Sequence, residues 1–140
     1  MEHADDQRFL GQDPLRQIGQ CLQAFNVVEA LVVERIVALI GADRQKIALL
    51  IDGLAAREKF QAYRRLVATE TTSTAPEQGE AWLAQLDALG RQRNAIAHSV
   101  LGDDAPSAKE RATFYRDCEE AIFGLQQALQ RSARAARKRE

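Results

Sequence analysis

Three residue types that could act together on a phosphodiester lie in the segment Arg93-Asn94-Ala95-Ile96-Ala97-His98. A histidine exchanges protons near neutral pH, so His98 could take the proton from a ribose 2′-hydroxyl or give one to the leaving 5′-oxygen. The guanidinium of Arg93 could stabilise the extra negative charge on the phosphate in the transition state. Asn94 could orient the histidine or hold the scissile group. The set is compatible with metal-independent cleavage of RNA, although Arg and His on one helix are more often a cap or a face of surface salt bridges.

The neighbouring apolar residues place this segment on a helix and divide it between two faces. Arg93 falls within the apolar stripe marked by Leu89 and Ile96, so its side chain should point toward another helix or a partner subunit. Asn94 and His98 are one turn apart on the adjoining polar face. The catalytic candidates therefore do not share one face of the helix.

Arg93 and His98 are separated by about 140° around the helix axis and by about 7.5 Å along it. They could line one cleft if both faces border it, if the helix ends irregularly near Gly102, or if a second subunit contributes across a two-fold axis. Arg91, on the same polar face as His98, is a supporting candidate because it would add positive charge.

The elements that must position this segment are all predicted to be helices. Apolar residues recur at helical spacing along most of the chain, and no alternating strand pattern occurs. The sequence predicts an all-α, single-domain, up-down bundle of four to five helices over residues 13–130, with a flexible N-terminal arm over 1–12 and a basic tail over 131–140.

The helix ends are predicted from capping residues. The helices are expected to start at Asp13-Pro14, Asp43, the capping box Thr74–Glu77 and the capping box Ser107–Glu110. Gly41 should end the first long helix. The third helix, which carries the Arg93–His98 segment, is expected to run from about Ala75 to Leu101.

Glu29 is the one carboxylate that falls within the apolar stripe of the first long helix, between Phe25 and Val32. A buried carboxylate needs a partner. Two interpretations remain open: Glu29 is a site residue or a brace for Arg93, or it lies at the edge of the stripe and bends toward water.

The formal net charge of −1 gives no whole-protein attraction for nucleic acid or acidic membranes, so any basic surface must be local. The charges around the predicted helix at 54–67, such as Arg57 and Lys59, are more typical of a solvated face than of a binding patch. The tail is the densest basic segment and either contacts nucleic-acid phosphates or is a solvated helix end. Its cations are Arg131, Arg134, Arg137, Lys138 and Arg139.

Composition also limits location and cofactors. The most apolar window, residues 24–41, contains Glu29, Glu34 and Arg35, so it predicts a buried helix and no membrane span. The acidic N-terminus is unlike a signal peptide, and we expect a cytoplasmic protein. Cys21 and Cys118 are expected to be reduced packing residues, and no Cys/His spacing predicts a metal site or another cofactor.

The Arg93–His98 segment resembles the Arg–polar–x–x–x–His signature of the HEPN superfamily. Four residues separate Arg93 from His98, and Asn94 occupies the polar position. The segment lies near the end of the predicted penultimate long helix, as in that family, and residues 54–60 are similar to the short second-helix segment of several HEPN groups. The architectural resemblance covers roughly residues 13–130, whereas its specific part is six residues long.

The resemblance implies a small helical bundle that forms a homodimer with the two motifs facing each other. By position, Arg93 and His98 would be the catalytic pair and Asn94 the polar accessory residue of a metal-independent endoribonuclease. Active relatives of this kind occur in toxin–antitoxin and other defence systems, so RNA, an antitoxin or a nucleotidyltransferase are the expected partners.

A catalytically inactive HEPN-fold module that binds a protein or nucleotide partner is the alternative. In that case Arg93 would be structural and paired with Glu29, and Asn94 would serve as a cap or bond across the interface.

Overall fold

A computed structural model of the chain describes residues 4–41, 43–98 and 104–138, and every regular element in these ranges is a helix. The predicted all-α class is therefore confirmed. The described ranges hold seven helices in place of the four to five predicted, because two short helices accompany five longer ones. The helices are α1 (Ala4–Leu10), α2 (Pro14–Ile40), α3 (Arg44–Asp52), α4 (Ala56–Thr69), α5 (Ala81–Ala84), α6 (Leu86–His98) and α7 (Ala108–Lys138).

Among the described helices, the long helices α2 and α7 form the most extensive contact, and α4 and α6 pack against α2 as well. Phe25 of α2 lies where these helices meet: its ring is 5.7 Å from Phe60 of α4, edge to face, and 6.4 Å from Phe114 of α7. All three rings are buried. Burial of a large aromatic side chain contributes on the order of 2 kcal/mol, so this cluster fixes the relative positions of α2, α4 and α7.

Several predicted helix ends are confirmed. The Asp13 carboxylate accepts a hydrogen bond from the backbone N–H of Arg16 (3.0 Å), with Pro14 at the first helical position of α2. Gly41 ends α2 in the left-handed region with φ 69° and donates its N–H to the carbonyl of Val37. Asp43 caps α3 in the same way as Asp13 caps α2.

The second predicted capping box is confirmed at the start of α7. Ser107 Oγ accepts from the backbone N–H of Glu110 (3.1 Å), and the Glu110 carboxylate accepts from the Ser107 hydroxyl (3.2 Å). The helix that follows continues through residues 131–138, so the described part of the basic tail belongs to α7. No helix in the described part of the chain is long and apolar enough to cross a membrane.

The predicted flexible arm over residues 1–12 is wrong for its described part, because residues 4–10 form α1. The Phe9 ring is buried and stacks on Tyr115 of α7 with centroids 5.2 Å apart. The buried Gln17 amide donates to the carbonyls of Phe9 (3.1 Å) and Gln12 (3.0 Å). Phe9 and Leu10 are adjacent and follow polar residues, so they give little periodicity, and it is α7 that supplies the surface on which α1 folds.

The predicted helix over 75–101 and its capping box at Thr74–Glu77 are also wrong. Residues 71–80 form turns, and the helical part is divided into α5 and α6. Glu77 does not cap a helix because its carboxylate is buried and bound to Arg35 of α2. Residues 99–103, with the predicted end at Leu101 and Gly102, lie outside the described residues.

Candidate functional site

A cleft of about 570 Å³ opens between α2, α4, α6 and the segment that joins α3 to α4. Arg91, Arg93 and Asn94 of α6 line one wall, and Arg57 and Lys59 of α4 line another. The remaining lining residues are Phe25, Glu29, Asp52, Leu54, Ala55, Ala56, Phe60, Gln61, Asp87 and Gly90. Three of the residues predicted from the motif and its surroundings are therefore brought to one concave surface.

Arg93 lies over the aromatic cluster of the core. Its guanidinium carbon is 5.9 Å from the centroid of the Phe25 ring, and its Nη1 donates to Asn94 Oδ1 at 3.3 Å. A cation at this distance from a ring face is attracted to the π-electrons. Because Arg93 is only half-buried and Asn94 is exposed, both keep donors available to a ligand in the cleft.

His98 lies elsewhere. It is the last described residue of α6, its side chain is exposed, and it is not among the residues that line the cleft. The chain thus brings Arg93 and Asn94 together and leaves His98 one helical turn beyond Asn94. A single chain does not assemble the predicted catalytic pair on one surface.

The proposed brace between Glu29 and Arg93 is wrong. Glu29 accepts a hydrogen bond from Lys59 Nζ at 2.7 Å, and the side chains are 26% and 9% exposed. Lys59 reaches Glu29 because α4 packs along this face of α2, whereas Arg93 lies one turn away, over Phe25. Glu29 is a lining residue of the cleft whose charge is already neutralised by α4.

The cleft holds more cationic charge than its own carboxylates neutralise. Asp87 Oδ2 accepts from Arg64 Nη1 at 2.6 Å, and Glu29 is paired with Lys59. Within the described residues, Arg57, Arg91 and Arg93 make no ion pair, and Asp52 is the only lining carboxylate that makes none. Three arginines with free guanidinium donors favour an anionic ligand with several oxygen acceptors.

Sequence reasoning missed the contribution of α4. Arg57 and Lys59 were expected on a solvated face. Arg57 is exposed, as expected, but Lys59 is buried, and both line the cleft. The available indication was that residues 54–60 contributed to the HEPN resemblance. The charges of Arg57 and Lys59 alone could not show that these residues line a cleft. Whether a face of α4 is solvated or lines a cleft depends on which helix packs beside it.

A second cluster of ionisable side chains is buried away from the cleft. Glu77 accepts from Arg35 Nε (2.6 Å) and Nη2 (2.9 Å) and from the Tyr63 hydroxyl (2.6 Å). Burial alone would raise the pKa of the Glu77 carboxyl, but these hydrogen bonds outweigh it and hold the pKa below its ordinary value. Burial raises the pKa of Tyr63. The cluster connects α2, α4 and the turns after α4, so its role is structural.

The cysteines are free and buried, as predicted for packing residues. Burial raises the pKa of Cys21 to about 11 and also raises that of Cys118, so neither thiol is a ready nucleophile. The described residues contain no group of three His, Cys, Asp or Glu side chains placed to hold a metal ion. Of the predicted tail contacts, Arg131, Arg134, Arg137 and Lys138 are exposed on α7, and Arg139 lies outside the described residues.

Comparison with models of known protein families, with curated proteins and with solved structures found no match to this chain. The functional assignment therefore depends on the charge and shape of the cleft and on the resemblance carried by residues 93–98.

Proposed function

We propose that this protein is a metal-independent endoribonuclease of HEPN type that acts as a homodimer and binds the RNA backbone in the cleft. The observation that carries the proposal is the position of Arg93 and Asn94 on the cleft wall, beside Arg91 and across from Arg57. None of the three guanidinium groups pairs with a carboxylate among the residues that the structure describes. Phosphate oxygens are the ligands that such planar, forked donors bind best.

Each residue has a distinct role in this proposal. Arg93 stabilises the charge that develops on the phosphate oxygens, and Asn94 orients the scissile group through its amide. His98 moves the proton of the attacking 2′-hydroxyl or of the leaving 5′-oxygen. Because His98 lies outside its own chain's cleft, the proposal requires a second copy to bring a His98 imidazole to the phosphate.

An RNase of this type would act as the effector of a toxin–antitoxin or other defence system. A cleft that must join a second copy to become active offers a simple means of control, because a protein bound over it blocks assembly and substrate together. An antitoxin or a nucleotidyltransferase is the expected kind of partner.

The test is cleavage of a defined RNA in the presence of EDTA, with analysis of the ends. We expect 2′,3′-cyclic phosphate products, a loss of roughly 10²–10⁴-fold in rate for His98→Ala, and a loss of about 10²–10³-fold for Arg93→Gln. Arg65→Gln is the matched control because Arg65 is exposed on α4 and makes no ion pair in the described structure. Cleavage that persists unchanged in His98→Ala would rule the assignment out.

The position of His98 outside the cleft favours one second candidate, a non-catalytic module that binds RNA or a nucleotide through Arg57, Arg91 and Arg93. This candidate predicts no cleavage by the wild-type protein. It also predicts binding that is weakened at least tenfold by Arg91→Gln with Arg93→Gln and is unaffected by His98→Ala. Titration of a labelled RNA by fluorescence anisotropy distinguishes the two candidates.

A further inference from the structure

The chain segregates its charge between a body and one helix end. Residues 126–140 contain five cations and one carboxylate, a net charge of +4, so the preceding 125 residues together carry −5. The nearest acidic residue before Arg131 is Glu120. The overall charge of −1 therefore conceals a strongly basic segment attached to an acidic body.

The structure presents this basic segment as the end of α7. The helix continues to Lys138, and the side chains of Arg131, Arg134, Arg137 and Lys138 are all exposed. None of these four cations makes an ion pair within the described residues. At 100° and 1.5 Å per residue, they fall within an arc of about 120° and a length of about 10 Å. They form one basic stripe on the solvent side of α7, which we call the α7 stripe.

Like charges three and four residues apart on a helix repel each other by a few tenths of a kcal/mol per pair. The helix dipole favours cations in the last turn only, whereas Arg131 lies two turns before Lys138. The dipole therefore accounts for Arg137 and Lys138 but not for the alignment of Arg131 and Arg134 with them. A polyanion bound along the α7 stripe would attract all four cations and offset the repulsion between them.

The residues between the cations decide which polyanion fits. They are Ser132, Ala133, Ala135 and Ala136, so the segment has no large apolar side chain. A helix that lies in a membrane interface inserts Trp, Phe or Leu from its apolar face, and residues 131–138 have none to insert. The exposed Phe123 of α7 lies about two turns before Arg131, outside the basic segment. Three of the four cations are arginines, which bind phosphate oxygens in a bidentate manner. These features favour the phosphodiester backbone of RNA over a lipid surface.

We propose that the α7 stripe is a second RNA-binding surface, which captures the backbone electrostatically and takes no part in cleavage. The choice of RNA as the polyanion rests on the proposed ribonuclease function. The stripe has a specific task, because an acidic body would repel RNA at a distance and a local positive field increases the rate of encounter.

The experiment measures binding of the wild-type protein to a labelled single-stranded RNA with 2′-O-methyl riboses, which lacks the nucleophile and stays intact. The test variant carries Arg131→Gln, Arg134→Gln, Arg137→Gln and Lys138→Gln. The matched control removes four exposed cations elsewhere that make no ion pair in the described ranges, by Arg16→Gln, Lys46→Gln, Arg65→Gln and Lys109→Gln. Circular dichroism verifies the helical content of both variants.

Each phosphate contact contributes about 0.7 to the slope of log K against log salt for single strands. We expect the stripe variant to lose about 2–3 units of slope and at least tenfold in affinity at low salt, while the control keeps the wild-type slope. With a cleavable RNA, KM should rise and kcat should stay the same. An unchanged slope and affinity in the stripe variant would overturn the proposal, as would a loss of binding to anionic vesicles without a loss of binding to RNA.

The binding experiment on the α7 stripe and the cleavage experiment on the proposed ribonuclease can succeed or fail independently. A protein that cuts no RNA but loses its salt-dependent RNA binding in the stripe variant keeps this inference and refutes the ribonuclease. A protein that cuts RNA and binds it equally well with and without the stripe keeps the ribonuclease and refutes this inference. If the stripe binds the acidic body of a second copy, the variant will abolish self-association in sedimentation experiments with no change in RNA affinity, which also counts against it.

Discussion

At the scale of single residues, the most deeply buried ion pair in the described structure joins Arg35 and Glu77. Both side chains are at most 1% exposed, and the Glu77 carboxylate also accepts from Tyr63. Removing two charges from water costs several kcal/mol, and the bidentate geometry and the hydrogen bond from Tyr63 offset this cost. Arg35 Nη2 also donates to the carbonyl of Thr74 (2.8 Å), which fixes the turns that precede α5.

Glu77→Gln should lower the free energy of unfolding by about 3–5 kcal/mol at pH 7, because it leaves the Arg35 guanidinium buried without a counter-charge. Glu34→Gln is the control: Glu34 pairs with Arg44, but both side chains are exposed, so the expected loss is below about 1 kcal/mol. Urea denaturation followed by circular dichroism gives both values. Equal losses in the two variants would contradict the assigned role of Glu77.

The pH dependence of this difference follows from the pKa of Glu77. Because the folded state holds that pKa below its unfolded value of about 4.3, the stabilisation is fully present above about pH 5 and is lost as the pH falls through the folded pKa. The gap in stability between wild type and Glu77→Gln should therefore narrow in acid. A gap that stays constant from pH 7 to pH 3 would show that the carboxylate charge contributes nothing.

At the scale of elements, the contact between α5 and α7 depends on a glycine. A Cβ atom built at Gly124 would overlap the indole ring of Trp82, so the ring packs directly on the α7 backbone. Because α6 begins two residues after α5 ends, this contact also positions the start of the helix that carries Arg93. The packing of α5 on α7 thus helps to position α6, which forms one wall of the cleft.

Gly124→Ala should have a free energy of unfolding roughly 1–3 kcal/mol below that of a Gly→Ala variant at an open helical position, because the indole ring must move. Gly19→Ala is the matched control on α2. No atom lies within 4 Å of its added Cβ, and an alanine inside a helix should stabilise the protein by about 1 kcal/mol. Thermal unfolding monitored by the fluorescence of Trp82, the only tryptophan, measures both. A stabilised Gly124→Ala variant would show that the ring does not depend on this glycine.

At the scale of the whole molecule, the proposed reaction needs groups from two surfaces. Arg93 and Asn94 face the cleft, whereas His98 lies outside it. If the active site combines Arg93 of one chain with His98 of another, the activity belongs to the dimer and should fall on dilution below its dissociation constant.

Mixing two inactive variants tests this arrangement directly. After unfolding and refolding together in equal amounts, His98→Ala and Arg93→Gln chains form mixed dimers in half of all cases. Each mixed dimer retains one intact pair of Arg93 and His98, so about a quarter of the wild-type cleavage rate should return. The control is either variant refolded alone. No recovery, with dimers present in sedimentation experiments, would show that each chain uses its own Arg93 and His98.

The sequence by itself determined the helical class and both ends of α2, the start of α3 and the start of α7. Asp13, Gly41, Asp43 and the Ser107–Glu110 box act on backbone groups within four residues, so their effect does not depend on the rest of the fold. It also placed Arg93 and His98 on different faces of one helix, since that follows from the helical repeat alone.

Only the tertiary structure decided which groups meet. Glu29 and Lys59 are 30 residues apart, and Arg35 and Glu77 are 42 apart. Their pairing depends on the side-by-side register of helices, which local patterns do not specify. For the same reason Glu77 had the spacing of a cap but became a buried counter-charge, and the N-terminal segment had no periodicity but folded as α1 against α7. The cleft exists because three helices meet beside Phe25, and the local pattern of any one segment does not specify how these helices pack.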